Sequence, residues 1–151
     1  MENEKSSLAL QTTDISNNLF GESKTKKVTT LDLTDEKQAD MMLNSLQDAD
    51  HILNECVGKT IEVMGVTLTE TPVETTNEET GEVIVRKKHS MCLFDVNGES
   101  YVTGSNACYM SFINIVRVKG MPTKDNVLRL VPVKVDAETK GHSYLKLKIA
   151  K

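Results

Sequence analysis

Period-two alternation in five segments, a glycine at which the first segment switches parity, and a single helix between the third and fourth segments predict a mainly β fold. The order strand, strand, strand, helix, strand, strand is that of a five-stranded, OB-fold-like Greek-key barrel. An additional helix and a polar tail precede it. The chain has 151 residues, 38% hydrophobic and 26% charged, which fits one such domain and leaves no room for a second.

The strands are expected at about 59–72, 82–95, 99–104, 126–135 and 143–150, where Val, Ile, Thr and Tyr concentrate. In the first, the apolar parity runs through Ile61 and Val63 and then changes to Val66 and Leu68, so a bulge or sharp curl is expected at Gly65. Asn77-Glu78-Glu79-Thr80-Gly81 closes the first hairpin, and Asn97-Gly98 is a type I′ signal closing the second. Ser105 is placed to cap the helix that follows, with Cys108, Phe112 and Val116 toward the core and Gly120 as its end. Ile113, Ile115, Val116 and Val118 are β-branched, so a strand over 112–118 stays open as the second reading. Tyr109 and Phe112 are assigned to the core.

Upstream, Ala39, Met42, Leu43, Leu46, Ala49, Ile52, Leu53 and Cys56 recur at three-and-four spacing, predicting one amphipathic helix from about 35 to 56. Thr34 is its expected cap and Gly58 its stop. Residues 1–26 are too polar to bury a core and are expected to be a disordered tail. The organisation read from the sequence is thus a tail (1–26), an extension carrying the helix (27–58) and the OB-fold-like domain (59–151).

Charge is unevenly divided. The net charge is −4, yet residues 1–80 sum to −10 and residues 81–151 to +6, so the second part suits an anionic partner. The N-terminus has no signal-peptide pattern and no apolar run approaches a membrane span, so a cytoplasmic protein without a membrane partner is expected. Cys56, Cys92 and Cys108 are odd in number and widely spaced, which favours reduced thiols over a disulfide framework. His51, His89 and His142 stand at no metal-ligand spacing, and no nucleophile, nucleotide-cradling or zinc motif occurs. No enzyme activity, cofactor or metal is therefore expected.

The remaining signal is cationic and aromatic. In the second strand Arg86, Lys88, Ser90, Cys92 and Phe94 share one parity, opposite Val83, Val85, Met91 and Leu93. In the last strand Tyr144, Lys146 and Lys148 alternate with Leu145, Leu147 and Ile149. Such faces suit a single nucleic-acid strand: cations follow the phosphates and rings accept bases of any identity. Tyr101 is expected to extend the platform beside Phe94, with Lys140 and His142 closing over it. The competing reading of either stripe is a solvated, edge-protecting face.

The stretches Glu79-Thr80-Gly81-Glu82, Leu93-Phe94-Asp95-Val96-Asn97-Gly98-Glu99-Ser100-Tyr101, Gly120-Met121-Pro122-Thr123 and Thr139-Lys140-Gly141-His142-Ser143-Tyr144-Leu145-Lys146-Leu147 resemble the small single-stranded-DNA-binding proteins encoded by tailed phages of Gram-positive bacteria. The resemblance covers about residues 55–150. It implies a viral early replication protein of the host bacterial cytoplasm that coats exposed single strands without sequence preference, with Phe94, Tyr101 and Tyr144 stacking bases and Lys140, Lys146 and Lys148 meeting phosphates. Arg86 and Lys88 follow from charge alone. The chain departs from cellular single-strand binders in having no Trp and no acidic, apolar-tipped C-terminal tail. Recruitment of replication proteins would fall to residues 1–56, and a homo-oligomer stays open. The alternative function is an early phage protein-interaction module that holds a host or replication protein through the acidic helix.

Overall fold

The structure, a computed structural model, describes residues 11–13, 25–137 and 141–151. Its strands are β1 (Gln11–Thr13), β2 (Lys26–Thr29), β3 (His51–Ile52), β4 (Ile61–Thr76), β5 (Val83–Asp95), β6 (Ser100–Thr103), β7 (Leu128–Asp136) and β8 (Ser143–Ile149). Two helices accompany them, α1 (Glu36–Gln47) and α2 (Asn106–Lys119). All the strands belong to one mixed, mainly antiparallel sheet. None of the described helices is long and apolar enough to cross a membrane.

The long strand β4 organises the sheet. Its first residues, Ile61–Val63, pair antiparallel with Leu130–Leu128 of β7, and β7 in turn pairs with β8. Its remainder pairs with β5 on one side and, at Thr67–Glu70, with β2 on the other. The change of partners occurs at the expected bulge: Val63 lies opposite Asp95 and Gly65 opposite Phe94, which leaves Met64 as the extra residue. Glycine is required at 65 by packing. A Cβ there would sit 2.6 Å from Leu31 Cδ2, and Leu31 is fully buried and has little room to withdraw. Backbone and side-chain bonds from Thr29 and Thr30 to Val66 fasten the preceding segment across the bulge.

Alternation along β4 and β5 feeds two cores on opposite faces of the same ladder. Val66, Met91 and Leu93 join Leu128, Leu130, Leu145, Leu147 and, from α2, Cys108 and Phe112. Met64 and Phe94 instead join Leu31, Met41 and Met42 beneath α1. Helix α2 forms as expected, with Ser105 Oγ accepting from the Cys108 N–H at 3.2 Å.

Several expectations are corrected. The closed five-stranded barrel is not formed: among the described residues no ladder joins β6 to β8. The outer edge of β6 is taken by β3, which pairs parallel with it (His51 opposite Tyr101), and the Leu147 N–H of β8 donates to Ser111 Oγ of α2 at 2.8 Å. Helix α1 stops at Gln47 instead of continuing to 56. Asp50 accepts from the Ser100 backbone N–H at 2.9 Å and its own N–H donates to Ser100 Oγ at 3.0 Å, which draws the chain out into β3. Its N-cap is Asp35, whose carboxylate accepts from the Gln38 N–H at 3.1 Å, while Thr34 bonds Asp32. Leu43 and Leu46, expected inward, are exposed, because Met41 and Met42 carry the buried face. The Asn97-Gly98 turn is not type I′, which needs positive φ at both central residues; among non-glycine residues described none has it. Asp95 Oδ1 accepts from the N–H groups of Asn97 and Glu99 and holds a loop that ends on left-handed Gly98. Within the tail expected to be disordered, Gln11–Thr13 pairs with β2, and residues 1–10 and 14–24 lie outside the described ones.

Phe94→Ala should cost about 3–5 kcal/mol of unfolding free energy in a urea titration, since it opens a cavity under α1. An effect below about 1 kcal/mol would mean that α1 does not seal this face. Burial pushes the Cys92 and Cys108 thiols up to about 12, which leaves them as neutral thiols at pH 8; Cys108 is buried, and Cys92, like Cys56, is half-buried. A thiol reagent at pH 8 should therefore modify one cysteine rapidly in the native protein and the other two only on unfolding. Rapid modification of all of them would contradict the two-core arrangement.

Candidate nucleic-acid interface

Strands β7 and β8 form an antiparallel ribbon with one inward and one outward face. Leu128, Leu130 and Pro132 of β7 and Leu145 and Leu147 of β8 point into the core. The alternate positions face out. In register, Val131 lies opposite Lys148, Val133 opposite Lys146 and Val135 opposite Tyr144, and Arg129 continues the same row beyond Val131. The result is a strip of half-buried valines bordered by a ring and by lysines, with an arginine at one end. Tyr144 is 38% exposed and both lysines and Arg129 are exposed. Among the described residues no carboxylate stands within ion-pair distance of Arg129, Lys146 or Lys148; Glu62 of β4 lies directly opposite Arg129, whereas the two lysines lie opposite valines.

Arg129 joins this face to a polar cleft of about 400 Å³ beside Lys59, Glu62, Asn97 and the edge of Tyr101. Tyr101 itself is 1% exposed and is committed to structure. Its hydroxyl donates to Asp95 Oδ2 at 2.8 Å, its ring stacks on His51 with centroids 4.7 Å apart, and Lys59 Nζ lies 5.6 Å from the ring centre. Burial, reinforced by the Asp95 carboxylate, raises the phenol well above its ordinary value. His51 Nε2 lies 2.9 Å from Glu99 Oε1 and ties β3 to the start of β6.

The residues expected to share one site divide into separate groups. Tyr144, Lys146 and Lys148 come together on the outward face as anticipated. Phe94 does not reach a surface: it is fully buried, because α1 covers the face of β5 that its parity selects. Tyr101 is withdrawn for a different reason: it lies opposite Leu93, on the other face of the sheet from Phe94, and packs into the core beneath α2. Neither ring is free to stack on a base. Lys140 lies outside the described residues, and its neighbour His142 closes the β7–β8 turn by accepting from the Ala137 N–H through its carbonyl at 2.9 Å.

Arg86 and Lys88 are exposed, but on a projecting arm formed by β4 and β5, opposite Val73 and Thr71. Strand β7 meets β4 at Ile61–Val63, eight to ten residues earlier. That is about 26–33 Å of strand. The two cationic rows therefore do not lie on neighbouring strands, and the paired track expected from the sequence is replaced by the β7–β8 face alone. The Glu70 carboxylate, held below the usual range by hydrogen bonding to Lys87, also draws Lys87 (3.2 Å) and His89 (3.7 Å) into the arm.

Arg129 and the valine strip are additions that the sequence reading did not make. The alternation Leu128-Arg129-Leu130-Val131-Pro132-Val133 carries the signal, since Arg129 has the parity of the valines and the opposite parity to the buried leucines. The chain matches no family model, no curated protein and no solved structure.

Proposed function

We propose that this protein binds single-stranded DNA without sequence preference along the outward face of β7 and β8, as a non-enzymatic coat for exposed strands during phage DNA replication. The observation that carries the reading is the combination of one exposed ring and two exposed lysines without an ion-pair partner on a single face, with Arg129 at its end. Lys146, Lys148 and Arg129 neutralise phosphates and release counterions. Tyr144 offers a stacking surface, and the strip Val131, Val133 and Val135 gives sugars and base edges an apolar floor. The pairing order β8-β7-β4-β5-β6 supports the same reading, because it follows the strand order of an OB barrel opened at one seam. The face that such barrels commonly use, on their second and third strands, is here packed under α1 at Phe94, which moves the available surface to the fourth and fifth.

Fluorescence anisotropy with oligo(dT) and a duplex of equal length, at low and moderate salt, tests this. Single strands should bind in preference to duplex, with affinity falling steeply as salt rises. Equal binding to both, or none, would overturn the proposal. Tyr144→Ala should weaken binding by about 1–3 kcal/mol without altering the urea midpoint, as expected for an exposed ring that stacks. Lys146→Gln and Lys148→Gln should each lower the slope of log affinity against log salt by about 0.7.

The exposed pair Leu43 and Leu46 on acidic α1 favours a second reading, in which this helix holds a replication or host protein. Leu43→Ser with Leu46→Ser should then abolish nuclease-resistant capture of that protein while leaving oligo(dT) affinity unchanged. Capture that is lost on nuclease treatment would leave the helix without this role.

A further inference from the structure

The β4–β5 arm presents an open strand edge. Strand β6 pairs with β5 only from Met91 to Phe94, and among the described residues no strand pairs with that edge of β5 between Val83 and Ser90. The alternation of the ladder shows which groups face the opening. Asn77 donates its N–H to the Glu82 carbonyl, so Glu82, Ile84, Arg86 and Lys88 direct their main-chain groups toward β4. Val83, Val85 and Lys87 direct theirs outward. The bond from the Asp95 N–H to the Glu99 carbonyl, on the β6 side of the same strand, fixes the same parity independently. Pro72 lies opposite Lys87, at a ladder position where its missing N–H removes no bond to β5.

Among the described residues this edge is unpaired, and from Val83 to Val85 it is apolar. Val83 is 54% and Val85 59% exposed, and Ile84 and Val73 are exposed on the other face. A two-stranded ribbon with apolar groups on both faces and an open edge is the arrangement that soluble proteins ordinarily cover.

We infer that the edge of β5 pairs with the same edge of a second copy of this chain, antiparallel about a two-fold axis at Val85. The pairing of Glu82 with Lys88 argues for a second copy as the occupant, and like charges disfavour centres beyond Val85. Centred on Val85, Glu82 of each copy lies opposite Lys88 of the other, Val83 opposite Lys87, and Ile84 opposite the stem of Arg86. Sliding the centre to residue 86 or 87 places Arg86 or Lys87 opposite itself, where like charges repel. In the Val85 register the outward amides and carbonyls of Val83, Val85 and Lys87 all find partners. Each copy's turn then arrives at the groove of about 290 Å³ that Lys88 and His89 border together with Gly104 and Asn106.

Sedimentation velocity of the full chain across a range of concentrations, without nucleic acid, tests the pairing. The wild type should shift from monomer to dimer as concentration rises. Val85→Pro removes an amide that β4 does not use and should remain monomeric with an unchanged circular dichroism spectrum. Lys88→Glu sets a second acidic group against Glu82 and should also be monomeric, and Glu82→Lys combined with Lys88→Glu should restore the dimer. A wild type that stays monomeric throughout, a Lys88→Glu variant that dimerises like the wild type, or a double variant that fails to recover would overturn the inference.

Discussion

One strand serving two ladders is the constraint on which the molecule rests. β4 cannot pair with β7 at its start and with β5 and β2 along its length unless it curls, and the curl is made at Met64 and Gly65. The extra residue turns Met64 to the face opposite Val63 and Val66, so the bulge both bends the strand and supplies a side chain to the second core. Leu31 fills the space that a side chain at position 65 would need. The N-terminal segment is therefore built into the bend instead of lying upon a finished domain.

This has a direct consequence for where a ligand can be met. A ladder packed on both faces consumes its aromatic residues. Leu93 goes inward against α2, and its neighbour Phe94 goes outward but meets Met41 and Met42 of α1. Tyr101 anchors β6 through Asp95 and His51. The β7–β8 ribbon lacks an outer cover among the described residues, so its outward parity stays accessible. Accessibility there follows from the path of the N-terminal segment, and the cationic character follows from the alternation within β7 and β8 themselves.

The legible and illegible parts of the sequence separate on the same physical ground. The bulge at Gly65, the five strands of the expected domain and the helix capped by Ser105 are local or period-based features, and each lies where its pattern indicates; the Asn97-Gly98 turn keeps its place but not its type. Period two states that Phe94 and Leu93 face opposite ways; it does not state whether the second face is covered. That depends on contacts between residues some fifty positions apart, Met41 and Met42 with Phe94. The same holds for β3. Its two residues have no pattern of their own, and the bonds that Asp50 accepts from Ser100, with the contacts of His51 to Glu99 and Tyr101, convert the expected end of a helix into a strand. Arg129 was within reach of a parity argument, but Pro132 and Lys134 interrupt the β7 pattern and mask it.

The central claim is that a single strand lies on the outward face of β7 and β8. It is tested most directly by following the backbone amide NMR signals of the full chain during titration with oligo(dT) at low salt. The account predicts the largest shifts at Arg129, Val131, Val133, Tyr144, Lys146 and Lys148, with Phe94 and its neighbours under α1 little changed. Shifts concentrated on the β4–β5 arm or on α1, with β7 and β8 unmoved, would contradict it.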